Sequence, residues 1–312
     1  MRISHYITCV FKLIVFLILS SNECIEVTAQ TKRAVVIGLG SQIDSSWGKI
    51  NGDKDVPFVL TMLKHAHFSD VTTLINEQAT KAKIESALFN LEKRCVKGDV
   101  VYIHFSGHGQ QMTDVNQDEN TDKWDECWIP YDAYSKYSLY YRGDKHITDD
   151  EIYKHITSIS NRIGKKGKLL LVVDACHSGN SYYDINGETI RGTIRKFVIP
   201  SSSSNQKRDL VASNDKNQNW IMISACKEYE VNTELKNPKV GKLTYALSSI
   251  LKNDRTYINE ALLYQIKLFI DNNAGLLEQT PELSGYVHSF NISEIFTQKE
   301  ILMVTFIILS HK

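Results

Sequence analysis

Two short segments carry a histidine and a cysteine in settings where both could do covalent chemistry. Residues 100–105 are apolar and run into Ser106-Gly107-His108-Gly109, and residues 169–173 run into Asp174-Ala175-Cys176-His177-Ser178-Gly179. Each is an apolar run of strand length, rich in β-branched residues, that ends in a turn of small residues. In a parallel α/β sheet, the loops at the carboxyl ends of strands are where ligands bind. A cysteine matched by a histidine far away in sequence is a candidate nucleophile with its base. A free thiol is only about a few per cent thiolate near neutral pH, so Cys176 needs such a base. The chemistry expected is that of a cysteine hydrolase. Cys176 would attack a carbonyl carbon, and His108 would protonate the leaving amine.

The elements that must position this pair follow from the pattern along the chain. Residues 33–39 read as a first strand, 71–75 as a second, 99–105 as a third, 169–173 as a fourth and 220–224 as a fifth. Strand 99–105 is almost continuously apolar, as parallel strands covered on both faces are. Helical spacing marks 53–66 through Val56, Val59, Leu60 and Leu63, and 80–91 through Ile84, Leu88 and Leu91, with Thr80 as N-cap. Further helices are expected at 148–159, 243–251 and 258–270, a loop plus a hairpin within 110–146, and an edge-like strand within 283–292. Strands alternating with helices give an α/β fold whose central sheet is mainly parallel, with helices on both faces. Residues 180–218 lack periodicity and contain Ser201-Ser202-Ser203-Ser204, the marks of a linker.

The histidine and cysteine turns resemble those of the caspase-like cysteine peptidases, on the metacaspase side of that superfamily and closest to its bacterial members. Further matches are Asn51-Gly52-Asp53-Lys54-Asp55, Asp125-Glu126-Cys127 with Pro130, Thr148-Asp149-Asp150-Glu151, Ser224-Ala225-Cys226, Gly241-Lys242-Leu243-Thr244-Tyr245-Ala246 and Gln279-Thr280-Pro281. The resemblance implies a caspase-like three-layer sandwich over residues 30–295, with a larger piece at 30–185, a linker at 186–218 and a smaller piece at 219–295. It implies a catalytic dyad of His108 and Cys176, and an oxyanion hole from the backbone N–H groups of Gly109 and Cys176. Asp55 and Asp174 would line the pocket for the residue before the scissile bond and favour Arg or Lys there. Lys54 stands where the family usually has Asn and could pair with Asp55. No cofactor is required; Ca²⁺ as an activator is implied through Asp149, Asp150 and Asp184, the last lying one residue beyond the family position. The same fold could instead be a catalytically silent scaffold, or act on a non-peptide ester.

Charge and cysteine content narrow the class. Lys plus Arg and Asp plus Glu each number 36, so there is no basic excess of the kind nucleic-acid binding needs. Residues 1–29 have a basic start, an apolar run at 13–19 and Val27-Thr28-Ala29, a secretory signal pattern. Export to a periplasmic or extracellular space is expected, with membrane contact only through that signal and a tail of undefined role at 296–312. The mature chain would be a monomer acting on a peptide or protein substrate. Cys95, Cys127 and Cys226 are expected as apolar filler, since four cysteines in a domain this size do not make a disulfide framework. His104 stands four before His108, but on a strand that spacing does not align two zinc ligands. His177 points away from the nucleophile and is expected to be structural. Asp114-x-Asn116-x-Asp118 resembles the start of a calcium loop, but Glu119 replaces the glycine it requires, so a solvated loop is expected. Self-cleavage in the linker is expected at Lys207 or Arg208 ahead of Arg191, because Ser-rich chain threads easily into a cleft.

Overall fold

The computed structural model describes residues 30–115, 123–176, 188–193, 195–200, 218–252, 255–275 and 277–297. The elements run β1 Lys32–Gly38, α1 Gly52–His65, β2 Asp70–Ile75, α2 Lys81–Arg94, β3 Val100–Ser106, β4 Gly109–Thr113, β5 Trp124–Trp128, β6 Ile147–Thr148, α3 Asp149–Ile163, β7 Lys168–Asp174, β8 Trp220–Ser224, α4 Lys242–Leu251, α5 Asn259–Asn272, β9 Glu282–Gly285 and α6 Ser293–Phe296. The central sheet has the order β2-β1-β3-β7-β8-β9. Its first five strands pair in parallel, and β9 closes the edge antiparallel to β8. The strand expected within 283–292 is therefore short: Gly285 turns to φ +84°, a conformation open to glycine, and ends it.

Alternation along the strands builds two apolar layers. Ala34, Val36, Tyr102, Leu170 and Val172 pack with α1, α4 and α5 on one face. Val35, Ile37, Ile103, Leu169 and Leu171 pack with α2 and α3 on the other. This is the three-layer α/β sandwich expected, and its period-2 origin is the pleat. Two helix starts use local capping. Thr80 accepts from the Lys83 N–H, and Thr148 forms a capping box with Glu151.

Within 110–146, β4 and β5 pair antiparallel as the expected hairpin, and β6 joins them from 147–148. Strands β4, β5 and β6 form a second, antiparallel sheet. Beneath it Trp47, Met112, Cys127, Ile129, Tyr141 and Phe197 make a third apolar cluster. Phe197 comes from the segment read as linker and is buried, while its neighbours Arg195, Lys196 and Val198 are exposed. Thr113 N–H donates to the Phe197 carbonyl at 3.0 Å, and Phe197 N–H to the Gln111 carbonyl at 2.7 Å. The signal segment, the tail beyond 297, the calcium-like positions Asn116, Asp118 and Glu119, and Asp184, His177, Lys207 and Arg208 lie outside the described residues. No helix among the described residues is long and apolar enough to cross a membrane.

Candidate active site

The site lies at the carboxyl ends of β1, β3, β7 and β8. Chain leaving β1 turns to the α1 layer and chain leaving β3 ends on the α3 layer, so a crevice opens where the connections diverge. Ser106 at the end of β3 pairs with Asp174 at the end of β7. His108 and Cys176 each stand two residues beyond that pair, so both leave neighbouring strands at the same level.

His108 is buried and held on two sides. Its Nε2 donates to the Gly48 carbonyl at 2.7 Å, and Trp47 stacks on its ring with centroids 5.2 Å apart. A carbonyl can only accept, so Nε2 carries the proton and Nδ1 is the basic nitrogen. Burial lowers the His108 pKa to about 4, with the Gly48 bond raising it and the nearby Arg191 charge lowering it further. The imidazole is therefore neutral near pH 7 and able to accept a proton. The Gly48 carbonyl is a functional group with no sequence signature, since every residue carries one.

Cys176 is 1% exposed, and its thiol donates to the Glu230 carbonyl at 3.0 Å. Cys226 shares that carbonyl at 3.8 Å. The hydrogen bond to Cys176, followed by burial, pushes the Cys226 thiol well above its ordinary pKa. Cys226 is thus a neighbour of the nucleophile as well as buried filler, the role that Cys95 and Cys127 keep. The backbone N–H of Cys176 donates to the Arg191 carbonyl at 2.9 Å, and Gly109 forms a parallel bridge with Gly192. The two expected oxyanion donors therefore flank one peptide, Arg191–Gly192.

Beside them is a buried acidic pocket filled by Arg191, which is 0% exposed. Its Nη1 and Nη2 meet the two Asp55 oxygens at 2.6 and 3.1 Å, a bidentate pair. Nη1 also lies 3.2 Å from Asp174 Oδ1, and Nε donates to Glu234 Oε1 at 3.0 Å. Burial alone would raise the Asp174 carboxyl, but Arg191, Thr244 and Asn232 hold it below its ordinary value. The three carboxylates likewise keep Arg191 charged against its burial. A Cβ on Gly241 would strike an Asp174 oxygen and come within 2.5 Å of Arg191 Nη1, so this wall has to be glycine.

Each acid is fixed by its own partners. Tyr102 OH donates to His104 Nδ1, His104 Nε2 to Ser106 Oγ, and Ser106 Oγ to Asp55 Oδ2, at 2.9, 2.8 and 2.7 Å. His104 is thus a link in a directed hydrogen-bond chain. Asp55 also accepts from Gly241 N–H at 2.9 Å, so it does not cap α1 although it sits in that helix's first turn. Asn51, the N-cap residue, gives its backbone and side-chain amides to Glu234. Lys54 does not pair with Asp55: its amine reaches Asn51 Oδ1 at 2.8 Å on the exposed face, one residue round the helix from the buried one. Glu234 escaped the sequence reading. It is a lone acid in a stretch without periodicity, and long-range pairings carry it inward: Ile190 with Thr233, and Glu234 itself with Gly241.

Of the expected calcium ligands, Asp149 and Asp150 open α3, and Asp184 lies outside the described residues. Asp149 and Asp150 line a cavity of about 500 Å³ with Glu126, Trp220, Cys176 and Cys226. Among the described residues, no three His, Cys, Asp or Glu side chains converge as metal ligands.

Residues 32–185 match the family described as metacaspase, peptidase C14 domain. A metacaspase-2 of Trypanosoma brucei brucei is 26% identical over 298 residues, covering 86% of this chain and 78% of that protein. The chain belongs to the caspase/metacaspase superfamily. It is a cysteine-type peptidase, a hydrolase of protein substrates. A metacaspase-2 of Arabidopsis thaliana is 35% identical over 156 residues, 47% of this chain and 34% of that protein. Among solved structures, caspase-1 from Spodoptera frugiperda superposes with a TM-score of 0.54 at 11% identity, covering 82% of this chain and 86% of that one. A Geobacter sulfurreducens protein superposes with a TM-score of 0.56 at 23% identity, covering 81% of this chain and 92% of that one. These two likenesses concern the caspase-like fold.

Proposed function

We propose that this metacaspase-like peptidase is an endopeptidase that uses Cys176 and His108 and cleaves after Arg or Lys. The observation that carries the specificity is the pocket of Asp55, Asp174 and Glu234 closed around a guanidinium. In it Arg191 stands in for the substrate residue before the scissile bond. Two or three buried carboxylates attract a cation and exclude an aspartate, since a buried unpaired charge is costly.

In this reading His108 Nδ1 takes the Cys176 proton, with the Gly48 carbonyl fixing the ring. Sulfur adds to the carbonyl carbon, and the N–H groups of Cys176 and Gly109 receive the developing negative charge. Such a donor contributes about 2.7–4 kcal/mol of barrier lowering in comparable hydrolases. The amine leaves with the proton from His108, and water then hydrolyses the thioester. These steps require no cofactor; Ca²⁺ enters only as the activator the resemblance implies, tested by reporter turnover with and without added Ca²⁺. We further propose a monomer exported with loss of residues 1–29, tested by an intact mass that begins at Gln30.

The test of the chemistry is turnover of Arg, Lys and Asp reporter peptides by wild type, Cys176→Ala and His108→Ala. Wild type is expected to cut the first two reporters, and neither variant to cut any. Turnover by pure Cys176→Ala protein would remove the dyad, and preference for Asp would remove the pocket assignment.

A further inference from the structure

We propose that His104 is a positioning residue for substrate selection: through Ser106 and Thr244, its single ring N–H keeps both pocket aspartates, Asp55 and Asp174, open as acceptors for a cationic side chain. The inference rests on the endopeptidase reading above and deepens it at the same pocket.

Tyr102, His104 and Ser106 alternate with Ile103 and Phe105 along β3, so three polar side chains share one face of an otherwise apolar strand. All three are 0% exposed. In the register His104 lies between Val36 and Val172, and Ser106 between Gly38 and Asp174. The two valines belong to the apolar layer under α1, α4 and α5, so this layer takes aliphatic side chains. A buried polar group costs free energy unless it is hydrogen-bonded. The strand therefore carries a polar line that its packing does not require, and the line ends at the two acids.

His104 is where the line divides. Its Nε2 lies 2.8 Å from Ser106 Oγ and 3.3 Å from Thr244 Oγ1. Ser106 Oγ donates to Asp55 Oδ2 at 2.7 Å, and Thr244 Oγ1 to Asp174 Oδ2 at 2.6 Å. The direction follows from the acid end. An ionised carboxylate only accepts, so each hydroxyl gives its proton away and offers a lone pair to His104. Nε2 must then carry the ring proton. Nδ1 is left to accept, and Tyr102 OH donates to it at 2.9 Å. One neutral imidazole thus sets two hydroxyls, and these face acids on two different elements, α1 and β7.

Asp55 and Asp174 need such fixed donors. Both meet the same Arg191 Nη1, at 2.6 and 3.2 Å. Carboxylates this close raise one another's pKa once no cation lies between them, and a protonated acid attracts a cation less. With the His104 N–H gone, the hydroxyls can turn and accept a proton from an acid instead of giving one. The other charged or titratable groups facing the two acids are Arg191 and, through it, Glu234 in the pocket, Tyr102 on β3, and Cys226 beside the nucleophile.

The experiment measures kcat and KM on an Arg reporter, and the pH profile of kcat/KM, in wild type, His104→Phe and His104→Gln, beside thermal melting. Phe keeps a ring and loses the N–H. In His104→Phe, KM is expected to rise about three- to tenfold, the effect of one ordinary hydrogen bond, with kcat within about twofold. The acid limb of its profile should move up by about one pH unit, since acids of raised pKa lose their charge sooner as pH falls. His104→Gln offers an amide N–H to the hydroxyls and a carbonyl to Tyr102, and should restore most of KM and of the acid limb. If His104→Phe does not fold, Ser106→Ala and Thr244→Val each remove one branch and should raise KM and move the limb the same way. Wild-type KM and acid limb in folded His104→Phe, or in both branch variants, overturn the inference and leave the peptidase standing. So does a loss confined to Tm and active fraction, or a His104→Gln variant as impaired as His104→Phe. Wild type that turns over no Arg reporter overturns the peptidase reading itself.

Discussion

Glu234→Gln should change the choice between arginine and lysine more than it changes either rate alone. In the pocket Glu234 accepts from the guanidinium Nε at 3.0 Å, while Asp55 and Asp174 hold the terminal nitrogens. Lysine has no hydrogen-bond donor at the Nε level; its amine would meet only the deeper pair. Removing the Glu234 charge therefore removes a charge-assisted hydrogen bond from Arg substrates and only a longer-range attraction from Lys substrates. A hydrogen bond to a charged group contributes about 1.5–3 kcal/mol, so kcat/KM for Arg should fall about tenfold to 150-fold. The Gln amide would also face the Asn51 amides that now donate to both Glu234 oxygens, which adds to the loss. The assay is kcat/KM on paired reporters that differ only in Arg or Lys before the scissile bond. The ratio is internal to one preparation, so the fraction of active enzyme does not distort it. Equal losses on both substrates, or an unchanged ratio, would refute the Nε assignment.

Two further outcomes follow from the same geometry. Gly241→Ala places a methyl against Asp174 and the guanidinium, so cleavage after Arg should fall at least about tenfold while the fold loses about 1–3 kcal/mol; reporter kinetics beside thermal melting separate the two effects. Stability should fall in acid: burial lowers His104 and His108 to about 4 and His146 to about 3, from 6.5. Because these folded values lie below the unfolded one, the stabilisation is full above about pH 6.5 and is lost as pH falls towards 4, by up to about 4 kcal/mol per pH unit for the three together. A Tm that stays level from pH 7 to pH 4 would contradict it.

The parts of the fold that the sequence made legible are those with local causes. Continuous apolar runs announce β3 and β7, helical spacing and Thr80 announce α2, and the Thr148–Glu151 pair announces α3. The loops that bring His108 and Cys176 to one level followed from the same two runs. What stayed hidden is long-range. Residues 188–193 and 195–199 have no periodicity of their own, and isolated bridges tie Ile190 to Thr233, Gly192 to Gly109 and Phe197 to Met112. Glu234 becomes a pocket wall through its bridge to Gly241 and the Ile190–Thr233 pairing beside it, and the Gly48 carbonyl becomes the His108 partner because the loop after β1 folds back. Lys54 and Asp55 are adjacent in sequence, yet a helix turns neighbours about 100° apart, to solvent and to the pocket.

The most direct test of Cys176 as the nucleophile of an arginine-directed peptidase is active-site labelling with a thiol-selective arginyl acyloxymethyl ketone, located by peptide mapping. The wild-type enzyme is expected to take up one equivalent of the arginyl reagent at Cys176 and none of an aspartyl reagent, and free arginine analogues should slow the reaction. Labelling at Cys226 in place of Cys176, or equal uptake of the aspartyl reagent, would contradict the account.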